Sequence, residues 1–278
     1  MPSRIGIVAA VFTCAGLLLP ANASAQINFT KTGYYLSLGD SLAAGEGALP
    51  VTHGFVYQLY DRGAFGPTQE MDFGNIAIKG TTADEVLALQ VPQALCIQPP
   101  RISVAPSVIT LSAGANDFLL YIATNGVPQN PASTIPVVAD AIAAKVEGII
   151  RALVFGAQNL PAHCARNGIP GITVLVSNYY RFDHPEPPIE FLLDLALESF
   201  GKSLATRVAA IRTDIAAAGK TARVGYVDTF SAMSGNPGLL LINRKNGYVG
   251  ALAFEIHPSN AGHTAMALEF ERVWRSMH

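Results

Sequence analysis

The stretch Tyr34-Tyr35-Leu36-Ser37-Leu38-Gly39-Asp40-Ser41-Leu42-Ala43-Ala44-Gly45-Glu46-Gly47 decides how the chain is read: an apolar run stops abruptly at Gly-Asp-Ser and continues in small residues. A run of that kind reads as a strand that hands a serine to the end of a sheet. A serine hydroxyl is a weak nucleophile alone. It carries chemistry only where a base and donors for a developing oxyanion stand in compatible places.

Four further short β-rich runs follow this one, at 74–78, 107–111, 172–177 and 223–227, and the first spans 34–38. Each is apolar over most of its length, which suits strands covered on both faces in a parallel sheet. Helical spacing of apolar residues runs from 136 to 160, with Pro136 suited to a first turn. It recurs from 189 to 218, ending at Gly219, and from just after Pro258 to about Trp274. Strand and helix alternate without internal repeats, which implies a doubly wound α/β sandwich. Two segments break the rhythm: 49–73, with His53, Tyr57, Tyr60 and Phe65, and 179–188, rich in Tyr, Pro and charge. Long irregular segments of this kind are either binding loops or ligand-free surface excursions.

In an open parallel sheet, functional residues gather beyond the carboxyl ends of the strands. Ser41 follows the first strand, Gly80 the second, and Asn116 the third within Gly114-Ala115-Asn116-Asp117. His257 follows the last at some distance, in His257-Pro258-Ser259-Asn260-Ala261-Gly262-His263. Singly, each has a structural reading: Ser41 and Asn116 as helix-start residues, Gly80 as a turn residue, His257-Pro258 as the lead into the last helix, with His263 exposed. Their order along the chain and their common position at strand ends argue for a shared site.

Composition bounds the rest. The chain has 278 residues, 50% hydrophobic and 14% charged, enough for one domain with a sizeable core. Its 18 basic residues are scattered among 20 acidic ones, the net charge is -2 and the pI is near 6.3, so nucleic acid is not an expected partner. Arg4, an apolar stretch from 5 to 19, Pro20 and Ala21-Asn22-Ala23-Ser24-Ala25-Gln26 read as a secretory signal peptide cleaved after Ala25. The mature domain is then 26–278, secreted or periplasmic, with no stable membrane anchor and a monomeric state expected. A membrane anchor is the alternative reading, against which the apolar stretch falls short of the roughly 20 residues a span needs. Cys14 lies in the signal, leaving Cys96 and Cys164 either as a disulfide or as two buried thiols. No cluster with metal-ligand spacing is present, and neither metal nor cofactor is expected.

Gly39-Asp40-Ser41, Gly80, Gly114-Ala115-Asn116-Asp117, and His257-Pro258 ahead of Ala261-Gly262-His263 resemble, in order, the four blocks of the SGNH hydrolases, also called GDSL esterases or lipases. The resemblance spans most of the mature chain. It implies a flavodoxin-like three-layer α/β/α sandwich with a central parallel sheet of about five strands. It also implies a secreted serine esterase or lipase acting on a small-molecule or lipid ester, with Ser41 as nucleophile and His257 as general base. The oxyanion donors would be the Ser41 and Gly80 backbone N–H groups and the Asn116 amide. A carbohydrate acetylesterase of the same fold, or a catalytically silent binding protein on a hydrolase scaffold, are the alternatives. Asp40 and Asp117 are expected to brace their loops through backbone hydrogen bonds, and Asp228 to cap the turn after its strand.

One position departs from the family pattern. An aspartate usually stands three residues before the histidine, and here that residue is Phe254, with Glu255 displaced by one. Either Glu255 replaces the aspartate, or a backbone carbonyl such as that of Phe254 accepts the imidazole proton in a Ser–His dyad, or activity is lost.

Overall fold

The run that opens the chain's reading forms β1 (Gly33–Gly39), all seven residues buried. In the computed structural model the described residues are 31–97, 105–158, 160–181, 187–236, 239 and 257–278, the first three of α7 (Pro187–Ala217) by backbone alone. The strands β1, β2 (Met71–Asn75), β3 (Val108–Ser112), β4 (Thr173–Ser177) and β5 (Arg223–Val227) make one sheet. Its order is β2-β1-β3-β4-β5, with every adjacent pair parallel. The order reverses direction between β1 and β3, so the chain's switch point falls at the end of the strand that carries Ser41.

The three central strands are buried along their whole length, while the edges β2 and β5 are partly open. That is why β1, β3 and β4 read as continuous apolar runs. Their two faces are covered by helices. On one side lie α3 (Ala83–Glu85), a π-helical turn (Val86–Gln90), α4 (Val91–Cys96), α6 (Pro131–Phe155) and α7, and on the other α2 (Phe55–Asp61), α8 (Thr229–Met233) and α9 (Asn260–Met277). In α6 the buried stripe Ala139, Ile142, Ala143, Val146, Ile149, Ile150 and Leu153 follows helical spacing and joins the main core, while Ile135 at its start packs with Leu192 and Ala196 of α7.

Two boundaries differ from the sequence reading for physical reasons. The expected strand 74–78 lies three residues too late, because Met71 to Asn75 pair with Gly33 to Ser37. The apolar Ile76-Ala77-Ile78 that prompted the reading continues past the strand, where the Ile76 and Ile78 amides still donate to the Ser37 and Gly39 carbonyls. The helix expected from Pro136 begins at Pro131, which takes the first-turn position, and ends at Gly156 instead of running to 160.

The segment 49–73 is not one irregular loop: it holds α2 and the start of β2, and several of its aromatics pack inward. Phe55 is fully buried and stacks on Phe270, Phe65 meets the Tyr35 ring edge-on at 4.7 Å, and Tyr60 stacks on Phe73 at 4.8 Å. Its aromatics cover the β1–β2 edge of the sheet. Cys96 and Cys164 form a disulfide that ties the end of α4 to the segment ahead of β4. Among the described residues no helix is long and apolar enough to cross a membrane, and the expected signal peptide, 1–25, lies outside them.

Candidate active site

β1 ends at Gly39 (φ +137°), and a Cβ there would stand 2.1 Å from the Ser112 carbonyl oxygen, so only glycine lets β1 and β3 run this close. Asp40 then caps α1 (Ser41–Ala44), its Oδ1 accepting the Leu42 N–H at 3.0 Å. The other carboxylate oxygen accepts from the Tyr179 hydroxyl at 2.5 Å. The Asp40 N–H donates to the Ser112 carbonyl at 3.0 Å. Asp40 is buried, and that burial pushes its carboxyl up to about 6 even though the Tyr179 and Leu42 hydrogen bonds oppose the rise. Ser41 is thereby presented at the first position of a short helix, half-buried, on a turn held from both sides.

His257 comes from the other end of the chain, and its Nε2 lies 2.9 Å from Ser41 Oγ across a separation of 216 residues. That is hydrogen-bond distance for a nucleophile and its base. The residue is carried just ahead of α9, whose N-cap Ser259 accepts the Gly262 N–H through its side chain. His263 in α9 is fully buried, unlike the exposed position it has in the purely structural reading of His257-Pro258. Its Nδ1 accepts the Phe55 N–H at 3.2 Å, and its Nε2 lies 2.9 Å from the Glu46 carbonyl. An N–H can only donate to an unprotonated ring nitrogen, so the ring is neutral with its proton on Nε2. Burial pushes its pKa down to about 4, with the nearby His257 acting in the same direction. His263 thus fastens α9 to the segments that follow the serine.

Gly80 sits in the loop after β2 with φ +81°, a left-handed conformation, and the space its absent Cβ would occupy is open. Asn116 is the second residue of α5 (Ala115–Asn125), and its Nδ2 donates to the Thr81 carbonyl at 2.9 Å, leaving a second N–H on the same amide. Thr81 Oγ1 in turn reaches the Gly39 carbonyl at 3.2 Å. Ser41, Gly80 and Asn116 therefore belong to one hydrogen-bonded neighbourhood at the carboxyl edge of the sheet. Asp117 braces it from below: Oδ2 accepts the Ala83 N–H at 2.7 Å, and Oδ1 pairs with Lys145 at 2.9 Å. Asp228 caps α8 through the Ser231 N–H.

The chain reading missed three residues that hold this arrangement: Tyr179, Thr81 and Gln90. Tyr179 stood in a segment weighed as a binding loop, yet it is buried against Asp40. Gln90 is a carboxamide inside the otherwise apolar Val86-Leu87-Ala88-Leu89-Gln90-Val91, and that interruption is the signal that could have singled it out. Phe254 and Glu255, on which the orientation of the imidazole was expected to turn, lie outside the described residues. Among the described residues the one cluster of potential metal ligands is Cys96, His163 and Cys164, and its two sulfurs are bonded to each other.

A doubly wound parallel sheet with a serine and a histidine joined beyond its carboxyl edge defines a hydrolase-like protein of the three-layer α/β/α class. The model of the family described as GDSL-like Lipase/Acylhydrolase matches residues 35–270, and the chain belongs to that family. No curated protein sequence matches it. Among solved structures it resembles a lipase from a goat rumen metagenome at 21% identity, covering 87% of this chain and 97% of that one with a TM-score of 0.53. A carbohydrate acetylesterase family member from Sinorhizobium meliloti has 14% identity, 88% and 98% coverage and a TM-score of 0.53. Phospholipase A1 from Streptomyces albidoflavus NA297 has 17% identity, 88% and 99% coverage and a TM-score of 0.50. At these identities the likeness is one of fold.

Proposed function

We propose that the protein is a secreted serine esterase or lipase that hydrolyses carboxylic esters through an acyl-enzyme on Ser41. The observation that carries this reading is the 2.9 Å approach of His257 Nε2 to Ser41 Oγ. His257 takes the hydroxyl proton as Ser41 Oγ attacks the ester carbonyl carbon, and returns it to the leaving alcohol as the tetrahedral intermediate collapses. Water, deprotonated by the same imidazole, then attacks the acyl-enzyme and releases the acid. The Ser41 and Gly80 N–H groups and the remaining Asn116 amide proton are the donors for the oxyanion. Asp40 takes no proton in this scheme. Tyr179 and Leu42 hold it as the cap of the nucleophile's helix.

Esters with apolar acyl groups are the substrate class. Leu49, Val51 and Ile78 are exposed on segments joined to the site, the Leu49 N–H donating to Asn260 just after His257 and the Ile78 N–H to Gly39 just before Ser41. The export signal read at 1–25 and a disulfide in the mature domain support action outside the cytoplasm. The test is turnover of p-nitrophenyl acetate and butyrate by the mature protein, with an acetylated sugar alongside. Hydrolysis lost in Ser41→Ala is expected, with butyrate preferred over the sugar ester. No turnover of any ester, or full activity in Ser41→Ala, refutes the reading.

A further inference from the structure

Gln90 makes a contact that no general feature of the fold requires. It is fully buried, and its single carboxamide meets both polar groups of one residue: Oε1 accepts the Gly39 N–H at 2.7 Å, and Nε2 donates to the Gly39 carbonyl at 2.8 Å. A neighbouring strand would normally supply such a pair of bonds. Here β2 ends at Asn75, paired with Ser37, and the chain beyond it supplies one of the pair, the Ile78 N–H on the Gly39 carbonyl. Gln90 Oε1 takes the Gly39 N–H, and its Nε2 adds a second donor to the Gly39 carbonyl.

We propose that Gln90 is the positioning residue of the nucleophile turn, an inference that rests on the reading of Ser41 as the nucleophile. The two peptide planes that flank Gly39 set the direction in which Asp40 and Ser41 leave the sheet. The first, Leu38–Gly39, is held by its N–H on Gln90 Oε1. The second, Gly39–Asp40, is held at its carbonyl end by Gln90 Nε2, Thr81 Oγ1 and the Ile78 N–H, and at its N–H end by the Ser112 carbonyl. One carboxamide therefore touches both planes. Gly39 has φ +137° and no side chain of its own to anchor it, so these bonds are what fix its conformation.

The placement of Gln90 argues the same way. Within α3, the π-helical turn and α4, the inward-facing positions are Ala83, Val86, Gln90, Val91, Ala94 and Leu95, and Gln90 is the one polar side chain among them. An unpartnered buried amide costs roughly 1–3 kcal/mol, so it stands in an apolar stripe for the bonds it makes. The turn itself is π-helical, closed by the Val91 N–H on the Val86 carbonyl, a rare local geometry that recurs near functional sites. The segment leads directly from the Gly80-Thr81 loop. Gln90 thus joins the nucleophile's strand to the helix that begins at the candidate oxyanion loop.

Loss of this clamp should slow acylation while leaving substrate binding intact, because an ångström of displacement at a nucleophile costs up to about a hundredfold in rate. The experiment compares wild type, Ser41→Ala, Gln90→Met and Gln90→Glu by p-nitrophenyl acetate kinetics, by the rate of Ser41 labelling with an alkyl fluorophosphonate, and by thermal unfolding. Gln90→Met keeps the length of the side chain and removes both hydrogen bonds. Its kcat and labelling rate should fall together by tenfold or more, with KM within twofold and every folded molecule still labelled at the end point. Gln90→Glu, able to accept from Gly39 N–H, should recover part of that loss, and it carries the test alone if Gln90→Met does not fold. Labelling and kcat within twofold of wild type in folded variants overturn the inference while leaving the esterase reading intact. So does a kcat loss accounted for by a smaller labelled fraction. Wild-type protein that is not labelled at Ser41 overturns the esterase reading, and this inference with it.

Discussion

Acidification should weaken the fold measurably at His263. In the folded protein the ring is neutral, sealed between the Phe55 N–H and the Glu46 carbonyl, and its pKa lies at about 4 against 6.5 for a free imidazole. The unfolded chain therefore binds the proton first as pH falls, so stability present above pH 6.5 is lost progressively down to about 4. Linkage puts the loss at about 2 kcal/mol between pH 7.5 and pH 5, approaching about 3 kcal/mol below both pKa values. The assay is urea unfolding followed by the fluorescence of Trp274, the sole tryptophan, which packs edge-on against Phe65. His263→Gln should be less stable than wild type at pH 7.5, and the gap should close by about 2 kcal/mol at pH 5. Subtracting the two curves removes the carboxylates common to both proteins. A gap that stays constant across this range refutes the reasoning, since it means that His263 does not change protonation on unfolding.

Other perturbations follow from the same geometry. Asn116→Ala should lower kcat by about a hundredfold or more with a smaller change in KM, since an oxyanion donor acts chiefly in the transition state, and steady-state kinetics decide it. Tyr179→Phe leaves a buried carboxylate oxygen of Asp40 without its donor and should cost about 1–3 kcal/mol in urea unfolding; it should also raise the Asp40 pKa, read by NMR titration of the carboxyl carbon. Replacing both Cys96 and Cys164 with serine frees a loop with a sequence separation of 68 and should reduce unfolding free energy by roughly 4 kcal/mol, measurable by chemical denaturation against the oxidised protein.

The fold was legible because burial on both faces leaves an unmistakable pattern: β1, β3 and β4 lie within about a residue or two of the apolar runs that foretold them, and the edge strand β5 matches its run despite an exposed first residue. β2 was misplaced because it is an edge strand with only one fully buried residue, and the more apolar Ile76-Ala77-Ile78 drew the assignment past it. Ser41, Gly80, Asn116 and His257 were legible as short motifs at strand ends, and the structure places the first and last in contact. The supporting residues were not, because Tyr179 has no local mark and the break that Gln90 makes in an apolar run does not say what it binds. Tyr179 and Gln90 act across separations of 139 and 51 residues, and a buried tyrosine or glutamine resembles any other until its partner is known. The aromatics of 49–73 gave no such guide, since the composition of a layer packed on the sheet and of a binding loop can be the same.

The two glycines of the site differ in what an engineer may do with them. Position 39 is closed to every other amino acid, because a second strand's backbone fills the volume that any side chain needs. Position 80 faces open space and asks only for a left-handed backbone, which asparagine also tolerates. Libraries aimed at new acyl specificity should therefore hold 39 invariant and restrict 80 to glycine and asparagine, since other side chains strain its left-handed backbone and with it the N–H proposed to face the oxyanion.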